Sequence, residues 1–294
     1  MMKNGKALKK FEHKNILITG AGSGIGEAIT YLLSHVAANL FLLDRNRERL
    51  STVRDNSEKI RKSCLNASSR KTDKKKGRDK SDDQEYCTRV CFVDFTDTSS
   101  IDNFVSGFTN AELSFDYIFL NAGISQRALT LDTDFEVDRK IMETNYFGPV
   151  YLIKKLSCMS RKDHPVHLAV TTSISGLFGF PLRSAYCASK HALFGFFESL
   201  ELENDHIKVT FLIPGRINTP ISKSAILGDG TTYSKMDGGQ AGGMDVNKCA
   251  RIAIRAIAKG KRRKLIGGKE LLLVYLKKYI PPLFYLLARR IKAT

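Results

Sequence analysis

The sequence has 294 residues, of which 43% are hydrophobic and 26% are charged, as is typical of a globular protein with a large core. This composition excludes a disordered chain, a collagen-like chain and a small disulfide-stapled domain. The net charge of +17 comes entirely from residues 54–80, which carry +7, and residues 259–294, which carry +10. Because the rest of the chain is neutral overall, the pattern argues against a folded nucleic-acid-binding face.

The cysteines and the apolar segments indicate the compartment. The six cysteines form no C-x-x-C pair, which predicts reduced thiols. The basic start of the chain is not followed by the apolar stretch of a signal peptide. No segment reaches the ~18 uninterrupted apolar residues of a membrane-spanning helix. We therefore expect a cytoplasmic protein that is not secreted.

Six short apolar segments predict buried β-strands. They are residues 15–19, 39–43, 89–92, 117–120, 167–171 and 208–213. Apolar residues recur at helical spacing in residues 25–36, 135–159 and 186–204. Strands that are apolar throughout and alternate with helices predict a parallel sheet with helices on both faces.

The expected sheet and its helices form one domain over residues 14–262, preceded by a basic N-terminal lead at 1–13. The polar, charged residues 66–85 predict a mobile surface insert. The glycine-rich residues 222–245 predict a mobile loop that covers a ligand. Residues 263–294 are a basic and apolar C-terminal extension. This extension either packs on the body as a pair of helices or anchors the protein at a membrane interface.

The segment TGAGSGIG, residues 19–26, joins the first strand to the first helix. Its glycines follow the pattern G-x-x-x-G-x-G at Gly20, Gly24 and Gly26. Glycines permit a sharp turn and a close approach of the backbone to a pyrophosphate, and the following helix N-terminus supplies amide donors. We interpret this segment as a dinucleotide-binding turn, and the alternative is a tight turn without a ligand.

Polar residues end the next three strands. Asp44 lies where a carboxylate accepts a hydrogen bond from the ribose 2′-hydroxyl and repels a 2′-phosphate, whereas the adjacent Arg45 favours that phosphate. Asp94 is a candidate acceptor for the adenine amino group. Asn121 begins a run of small residues that lets the backbone pass close to a cofactor. The alternatives are a helix cap for Asp44 and ordinary turn residues for the other two positions.

Two Tyr-x-x-x-Lys pairs are candidates for an acid/base site. Residues four apart share one face of a helix, and an ammonium beside a phenol lowers the pKa of the tyrosine toward neutral. The pair Tyr186 and Lys190 follows Ser173, which lies after the fifth strand at the edge where ligands bind. The Ser173 hydroxyl can donate to a substrate carbonyl oxygen. The pair Tyr151 and Lys155 lacks such a serine, so we predict no role for it in the chemistry.

Five motifs occur in a recognisable order. They are TGAGSGIG, NAG at 121–123, METNYFG around Asn145, Ser173 with Tyr186 and Lys190, and PGRINT at 214–219. On these motifs, residues 14–262 resemble the short-chain dehydrogenase/reductase family, and in particular its member 7 and 7B-like group. The resemblance implies a Rossmann-type, doubly wound α/β fold in a single domain with a C-terminal helical extension. It also implies a homodimer or a homotetramer.

The same resemblance implies a role for each matching residue. Tyr186 would be the acid/base, and Ser173 would polarise the substrate carbonyl. Lys190 would lower the pKa of the tyrosine and bind the nicotinamide ribose, and Asn145 would hold a water in a proton relay. The cofactor would be bound by Thr19, Gly20, Ser23, Gly24, Ile25, Gly26, Asp44, Arg45, Asp94, Asn121, Ala122, Gly123, Lys190, Pro214, Gly215, Ile217 and Thr219.

We therefore expect an oxidoreductase that uses NAD or NADP to interconvert an alcohol and a ketone or aldehyde of steroid-, retinoid- or lipid-like character. Asp44 favours NAD, although members of the 7 and 7B-like group usually have a small residue there and use NADP. The alternative is a catalytically idle dinucleotide-binding scaffold tethered by its basic tail. The expected partners are a small-molecule substrate and a membrane surface at the tail, without nucleic acid and without a metal ion.

Overall fold

The computed structural model describes residues 2–72, 86–108, 114–159 and 164–290. Within these residues the strands are β1 (Asn15–Thr19), β2 (Asn39–Asp44), β3 (Thr88–Phe92), β4 (Tyr117–Leu120), β5 (Val166–Thr171), β6 (Ile207–Pro214) and β7 (Arg263–Ile266). They form one parallel sheet in the order β3-β2-β1-β4-β5-β6-β7. In the register of the two central pairs, Asn15 lies opposite Asn39 and Ile16 lies opposite Tyr117.

Helices lie on both faces of the sheet. They are α1 (Met2–Leu8), α2 (Gly24–Leu33), α3 (Arg47–Thr72), α4 (Thr98–Ser106), α5 (Phe135–Met142), α6 (Gly148–Met159), α7 (Ser184–Glu203), α8 (Gly238–Ala241), α9 (Val246–Ala258), α10 (Leu272–Tyr279) and α11 (Pro281–Ala288). The strand order reverses between β1 and β4, so the sheet is doubly wound, as the sequence predicts. At such a reversal the carboxyl ends of the strands open a crevice.

Successive residues of the strands face two different hydrophobic cores. Ile16 and Ile18 of β1 lie in one core with Ile254 of α9. Leu17, between them, lies in the other core with Leu152 of α6. All of these side chains are enclosed. Because both faces of the sheet are covered, central strands such as β1 are mostly apolar along their length and do not alternate with polar residues.

Strand β7 is the strand of the described sheet that the sequence does not predict. Its residues, RKLI, begin with two basic side chains, and Ile266 is its one buried residue. A pattern this short gives no hydrophobic period to recognise. The strand pairs with β6, with Arg263 opposite Phe211. The first residues of the segment expected to be an extension therefore belong to the sheet.

The two segments expected to be mobile differ in their structure. Helix α3 continues through residues 66–72 of the expected insert, and residues 73–85 lie outside the described residues. Residues 222–245 contain the short helix α8. Two bridges tie this second segment to the chain after β4 and after β6, pairing Ile226 with Gln126 and Met244 with Ile217. It therefore lies at the carboxyl edge of the sheet, where a loop covering a ligand is expected.

Helices α10 and α11 pack on the body. Phe284 and Ala288 are buried, and the Phe284 ring meets the Phe178 ring edge-on with centroids 5.0 Å apart. Other apolar side chains of this segment are exposed, namely Leu272, Tyr275, Tyr279, Ile280, Leu283, Tyr285, Leu286 and Leu287. Among the described residues, no helix combines the length and the hydropathy needed to cross a membrane. The extension is thus a packed helix pair with an apolar outer surface.

We expect Phe284→Ala to lower the free energy of unfolding by about 3–5 kcal/mol, because it removes a buried ring and leaves a cavity beside Phe178. The matched control is Leu286→Ala in the same helix. Its side chain is 53% exposed, so its loss should cost no more than about 0.5 kcal/mol. Urea denaturation of the full chain measures both values. Equal costs for the two variants would contradict the packing of α11 on the body.

Candidate active site

A cleft of about 360 Å³ lies at the carboxyl ends of β1 and β4, where the strand order reverses. Its walls contain most of the predicted site residues: Gly20, Ser23, Gly24, Ile25, Asp44, Arg45, Asp94, Asn121, Ala122, Gly123, Tyr186, Lys190, Pro214 and Thr219. A smaller cavity of about 50 Å³ is lined by Ser173 and Gly215. Of the remaining predicted residues, Thr19, Gly26, Asn145 and Ile217 line neither space.

The turn after β1 requires glycine at two positions. Gly20 has a φ of +63°, and a Cβ on it would lie 2.8 Å from the Ala122 Cα. A Cβ on Gly26 would lie 2.2 Å from the Gly20 carbonyl oxygen. A side chain at either position would displace the backbone. The glycines therefore hold the start of α2 close to the strand ends, with its amide groups at the cleft.

The Thr19 hydroxyl joins the end of β1 to the end of β4. Its Oγ1 accepts hydrogen bonds from the backbone N–H groups of Asn121 and Ala122, each at 3.0 Å. Thr19 is fully buried, so water does not compete for these bonds. Thr19 thus supports the cleft wall from behind, although its own side chain does not line the cleft.

A π-helical turn between α5 and α6 carries Asn145. Such turns are frequent at functional sites. The Asn145 Nδ2 donates to the Ile124 carbonyl and to the Ser189 hydroxyl, each at 3.0 Å, and its Oδ1 accepts from the Ile124 N–H at 2.8 Å. A Cβ on Gly123 would lie 3.1 Å from this Oδ1 and 3.4 Å from the Lys190 Nζ. Asn145 therefore fixes the chain after β4 beside Lys190.

The Asp44 carboxylate is held at the end of the cleft expected to bind adenosine. Its Oδ2 accepts from the Gly22 N–H and its Oδ1 from the Asn46 N–H, each at 3.0 Å. Arg45 and Arg49 line the same end of the cleft. The structure thus brings together one carboxylate that repels a 2′-phosphate and two guanidinium groups that attract it.

Asp94 lines the cleft and also stabilises a turn. Its Oδ1 accepts from the Thr96 N–H at 2.9 Å and from the Thr96 hydroxyl at 2.8 Å. Asp94 can therefore stabilise the turn after β3 and also line the cleft, so the two roles considered for it from the sequence do not exclude each other. In the part of the chain that the structure describes, no group of three or more His, Cys, Asp or Glu residues is arranged to hold a metal ion.

Tyr186 lines the cleft, and Ser173 lines the smaller cavity. The Ser173 hydroxyl donates to the Pro214 carbonyl at 3.4 Å and accepts from the Ser175 N–H at 3.2 Å. Burial raises the pKa of the Tyr186 phenol, whereas the charge of Arg183 and the hydrogen bond with Ser173 lower it. The pKa of Tyr186 is raised overall, whereas the sequence predicts that Lys190 lowers it toward neutral. The free energy needed to remove the phenolate from water is larger than the stabilisation that the neighbouring positive charges provide.

Lys190 is enclosed one helical turn after Tyr186. Its Nζ donates to the Thr171 carbonyl at 2.9 Å and lies 5.9 Å from the centroid of the Tyr186 ring. Burial lowers the pKa of Lys190 to about 8. Since an ammonium has three donors, Lys190 can also donate to a ligand in the cleft that it lines.

The second Tyr-x-x-x-Lys pair lies outside both cavities. The Tyr151 hydroxyl donates to the Asp102 carboxylate at 2.9 Å, and the Lys155 Nζ pairs with the same carboxylate at 2.9 Å. Asp102 thus neutralises the ammonium that would otherwise act on the phenol. This arrangement supports the distinction drawn from the sequence between the two pairs.

Two groups of residues at the site were not predicted from the sequence. Gly22, Asn46 and Arg49 line the cleft, and Arg127, Arg183 and Asp237 form a buried ion cluster. Arg49 lies in the first turn of α3, soon after Asp44 and Arg45, so its position close behind the end of β2 could have revealed it. Arg127 and Asp237 are 110 residues apart, and no local pattern links them.

Comparison with known sequences finds related proteins over most of the chain. The family model described as short chain dehydrogenase matches residues 63–228. The chain is 33% identical over 273 residues to the dehydrogenase/reductase SDR family member 7B of Xenopus laevis, which covers 92% of this chain and 79% of that relative. These matches confirm the resemblance drawn from the five motifs.

Comparison with solved structures finds the same fold. A short chain dehydrogenase/reductase from Burkholderia phymatum in complex with NAD aligns with a TM-score of 0.72 and 18% identity, over 93% of this chain and 95% of that one. A short chain dehydrogenase from Burkholderia cenocepacia in complex with NADP aligns with a TM-score of 0.69 and 18% identity, over 95% and 98%. The Rossmann-type fold predicted from the sequence is confirmed.

Proposed function

The chain belongs to the short-chain dehydrogenase/reductase family of oxidoreductases, and we propose that it interconverts an alcohol and a ketone or aldehyde with Tyr186 as the acid/base. The observation that carries this proposal is the placement of Tyr186 and Lys190 on the wall of the cleft, with Ser173 on the wall of the smaller cavity. The Ser173 hydroxyl donates to the carbonyl of Pro214, which itself lines the cleft, so Ser173 lies where the two spaces adjoin and where both hydroxyl groups are available to one substrate oxygen. Lys190 lines the cofactor side of the same phenol.

The cleft fits a nicotinamide dinucleotide. The backbone at Gly20, Gly22 and Gly26 leaves no room for side chains, and a Cβ on Gly22 would lie 2.9 Å from the Asp44 Oδ2. In this proposal the amide groups at the start of α2 bind the phosphates, and Lys190 binds the nicotinamide ribose. When bound, such a cofactor supplies the donor or acceptor of a hydride.

The proton chemistry is assigned to the side chains of this chain. In oxidation, the Tyr186 phenolate accepts the proton of the substrate hydroxyl, and in reduction the phenol donates a proton to the carbonyl oxygen. The Ser173 hydroxyl donates to the same oxygen and stabilises its negative charge. Asn145 positions the chain beside Lys190 and holds the water through which the proton reaches solvent.

The smaller cavity is the proposed substrate end of the site. It is lined by Ile174, Phe180 and Leu273 beside Ser173. Leu273 belongs to α10, so the C-terminal extension forms part of this wall. The charged residues Arg183, Arg216, Asp237 and Glu270 line the rest of this cavity. We therefore propose a carbonyl compound of steroid-, retinoid- or lipid-like character whose apolar part meets the three apolar side chains and whose polar groups meet the charged ones.

We expect Tyr186→Phe to lower turnover of a ketone panel by about 10²–10⁴-fold, because the ring remains and the transferable proton is lost. The dissociation constant of the cofactor should stay nearly unchanged, since affinity comes from the glycine turn and from Lys190. Steady-state assays and cofactor titration by fluorescence measure the two quantities.

The control for this variant is Tyr151→Phe. Tyr151 is bonded to Asp102 outside both cavities, so the variant should keep the wild-type rate. Retention of more than about a tenth of the rate by Tyr186→Phe would contradict the assignment. Cofactor binding by the wild type without turnover of any carbonyl compound would favour the idle scaffold.

The two charges at the adenosine end lead to a cofactor preference. We propose that the wild type prefers NAD, because the fixed Asp44 carboxylate repels a 2′-phosphate. Asp44→Ala should shift the ratio of the NAD and NADP dissociation constants about tenfold toward NADP, which corresponds to about 1.4 kcal/mol. Arg45→Gln should shift the same ratio toward NAD. A wild type that already prefers NADP tenfold would overturn the proposal.

We also propose that the C-terminal extension docks on a membrane surface. The exposed residues Leu272, Tyr279 and Leu286 can enter the headgroup region, while residues 259–294 carry +10. Basic residues near an anionic surface contribute about 1 kcal/mol each. Since α10 also lines the small cavity, docking would bring the substrate end of the site close to lipid.

Sedimentation with vesicles tests this docking. We expect binding to vesicles that contain anionic lipid, with weaker binding to neutral vesicles and at about 500 mM salt, because salt screens exposed charges. Leu286→Ser should weaken binding, since it removes an exposed apolar side chain without touching the packed face. Absence of binding to anionic vesicles at low salt would contradict the proposal.

A further inference from the structure

The loop after β6, residues 215–219, contributes to the walls of both cavities. Gly215 lines the smaller cavity together with Ser173, and Thr219 lines the cleft. The Ser173 hydroxyl donates to the carbonyl of Pro214, the last residue of β6. The loop therefore starts at the proposed substrate end of the site and ends in the proposed cofactor cleft.

Glu270 reaches this loop from the C-terminal extension. It belongs to a single helical turn, Lys269–Leu271, which follows β7 and precedes α10. The Glu270 Oε1 accepts hydrogen bonds from the Arg216 N–H at 2.8 Å and from the Gly268 N–H at 3.0 Å. One carboxylate oxygen thus joins the loop after β6 to the chain after β7.

Glycine residues make room for this carboxylate. A Cβ on Gly215 would overlap the Glu270 Oε1, and the three atoms nearest to that Cβ all belong to Glu270. A Cβ on Gly267 would lie 2.5 Å from the same oxygen. Neither glycine has a positive φ, so the close approach of the carboxylate is what excludes a side chain at these two positions. The fold therefore provides a fitted space for one carboxylate beside the loop.

Arg216 is held from both sides by this arrangement. Its N–H donates to Glu270, and its carbonyl accepts from the Met244 N–H at 2.8 Å. The Met244 carbonyl in turn accepts from the Asn218 N–H at 2.9 Å. The path of the backbone from Arg216 to Thr219 in the cleft therefore depends on the C-terminal extension on one side and on the segment at 222–245 on the other.

We propose that Glu270 is a positioning residue for the nicotinamide half of the cofactor. Its carboxylate fixes the loop after β6, so that the backbone of this loop and Thr219 are in place to bind the nicotinamide. The proposal rests on the proposed function, in which the cleft binds a nicotinamide dinucleotide. It makes the C-terminal extension a part of the cofactor site as well as of the substrate end.

The test compares NAD with ADP-ribose, which lacks the nicotinamide. Isothermal titration calorimetry of the full chain gives the dissociation constant of each ligand. Glu270→Ala should raise the dissociation constant of NAD about tenfold, because the loop loses a hydrogen bond to a charged acceptor. The dissociation constant of ADP-ribose should change less than about twofold, since Asp44 and the glycine turn at its end of the cleft keep their contacts. If the wild type binds NADP more tightly, NADP and 2′-phospho-ADP-ribose form the pair.

Glu270→Gln separates the acceptor from its charge. The glutamine keeps an oxygen at the same place along the side chain, and a hydrogen bond to a neutral acceptor is weaker than one to a carboxylate. Its dissociation constant for NAD should therefore lie between those of the wild type and Glu270→Ala. An unchanged NAD constant in both variants, or an equal loss for NAD and ADP-ribose, overturns the proposal. If Glu270→Ala does not fold, Glu270→Gln alone must separate the two ligands.

Gly215→Ala tests the contact between the carboxylate and the loop. In the wild type its methyl group would occupy the space of the Glu270 carboxylate, so the dissociation constant of NAD should rise. In the Glu270→Ala background that space is open, so the same substitution should have little further effect. Equal effects in the two backgrounds would overturn the proposal, because they would show that the methyl group acts elsewhere.

The matched control is Lys269→Ala. Lys269 is exposed and lies next to Glu270 in the same helical turn. Its removal should leave both dissociation constants in place, and a shift equal to that of Glu270→Ala would overturn a specific role for Glu270. The titrations require no turnover. An active Tyr186→Phe would contradict the proposed acid/base chemistry alone, whereas unchanged NAD binding by Glu270→Ala would contradict this proposal alone.

Discussion

The close approach of the turn after β1 to the end of β4 is the constraint on which the cleft depends. Gly20 leaves no space between its backbone and Ala122, and the Thr19 hydroxyl binds two backbone amides of the β4 end. These contacts bring the start of α2 to the point where the strand order reverses. The amide groups of that helix, the Asp44 carboxylate and the Lys190 ammonium then face one space. A bulkier residue at Gly20 or at Thr19 would push the β1 turn away from the end of β4. The three groups would then no longer face one space, even if each kept its own hydrogen bonds.

The parts of the molecule that the sequence predicted are those that leave a local pattern. Strands buried on both faces are apolar throughout, so six of them could be recognised, two with their observed bounds at Asn15–Thr19 and Tyr117–Leu120. The glycine turn is visible because only glycine fits at Gly20 and Gly26. Tyr186 and Lys190 are visible because four residues correspond to about one helical turn.

The parts that were missed depend on contacts between distant residues. Strand β7 has one buried side chain, and its pairing with β6 defines it more than its composition does. The cluster around Asp237 joins three segments that have no common spacing. The direction of the Tyr186 pKa could not be predicted either, because a spacing between two residues carries no information about the depth at which the fold buries them.

The length of α3 determines which of its basic side chains are close enough to attract a negatively charged ligand in the cleft. A helix of 26 residues is about 39 Å long, whereas a strand of five residues such as β3 extends over only about 17 Å. Helix α3 starts next to the cleft, and Arg61, which lies 14 residues after its first residue, is about 21 Å along the helix, where it donates to the Ala38 carbonyl just before β2. Salt screens exposed charges over about 10 Å at 0.1 M. Nearby groups such as Arg45 and Arg49 therefore set the electrostatic potential in the cleft, and basic side chains at the distance of Arg61 contribute little to the affinity for a dinucleotide.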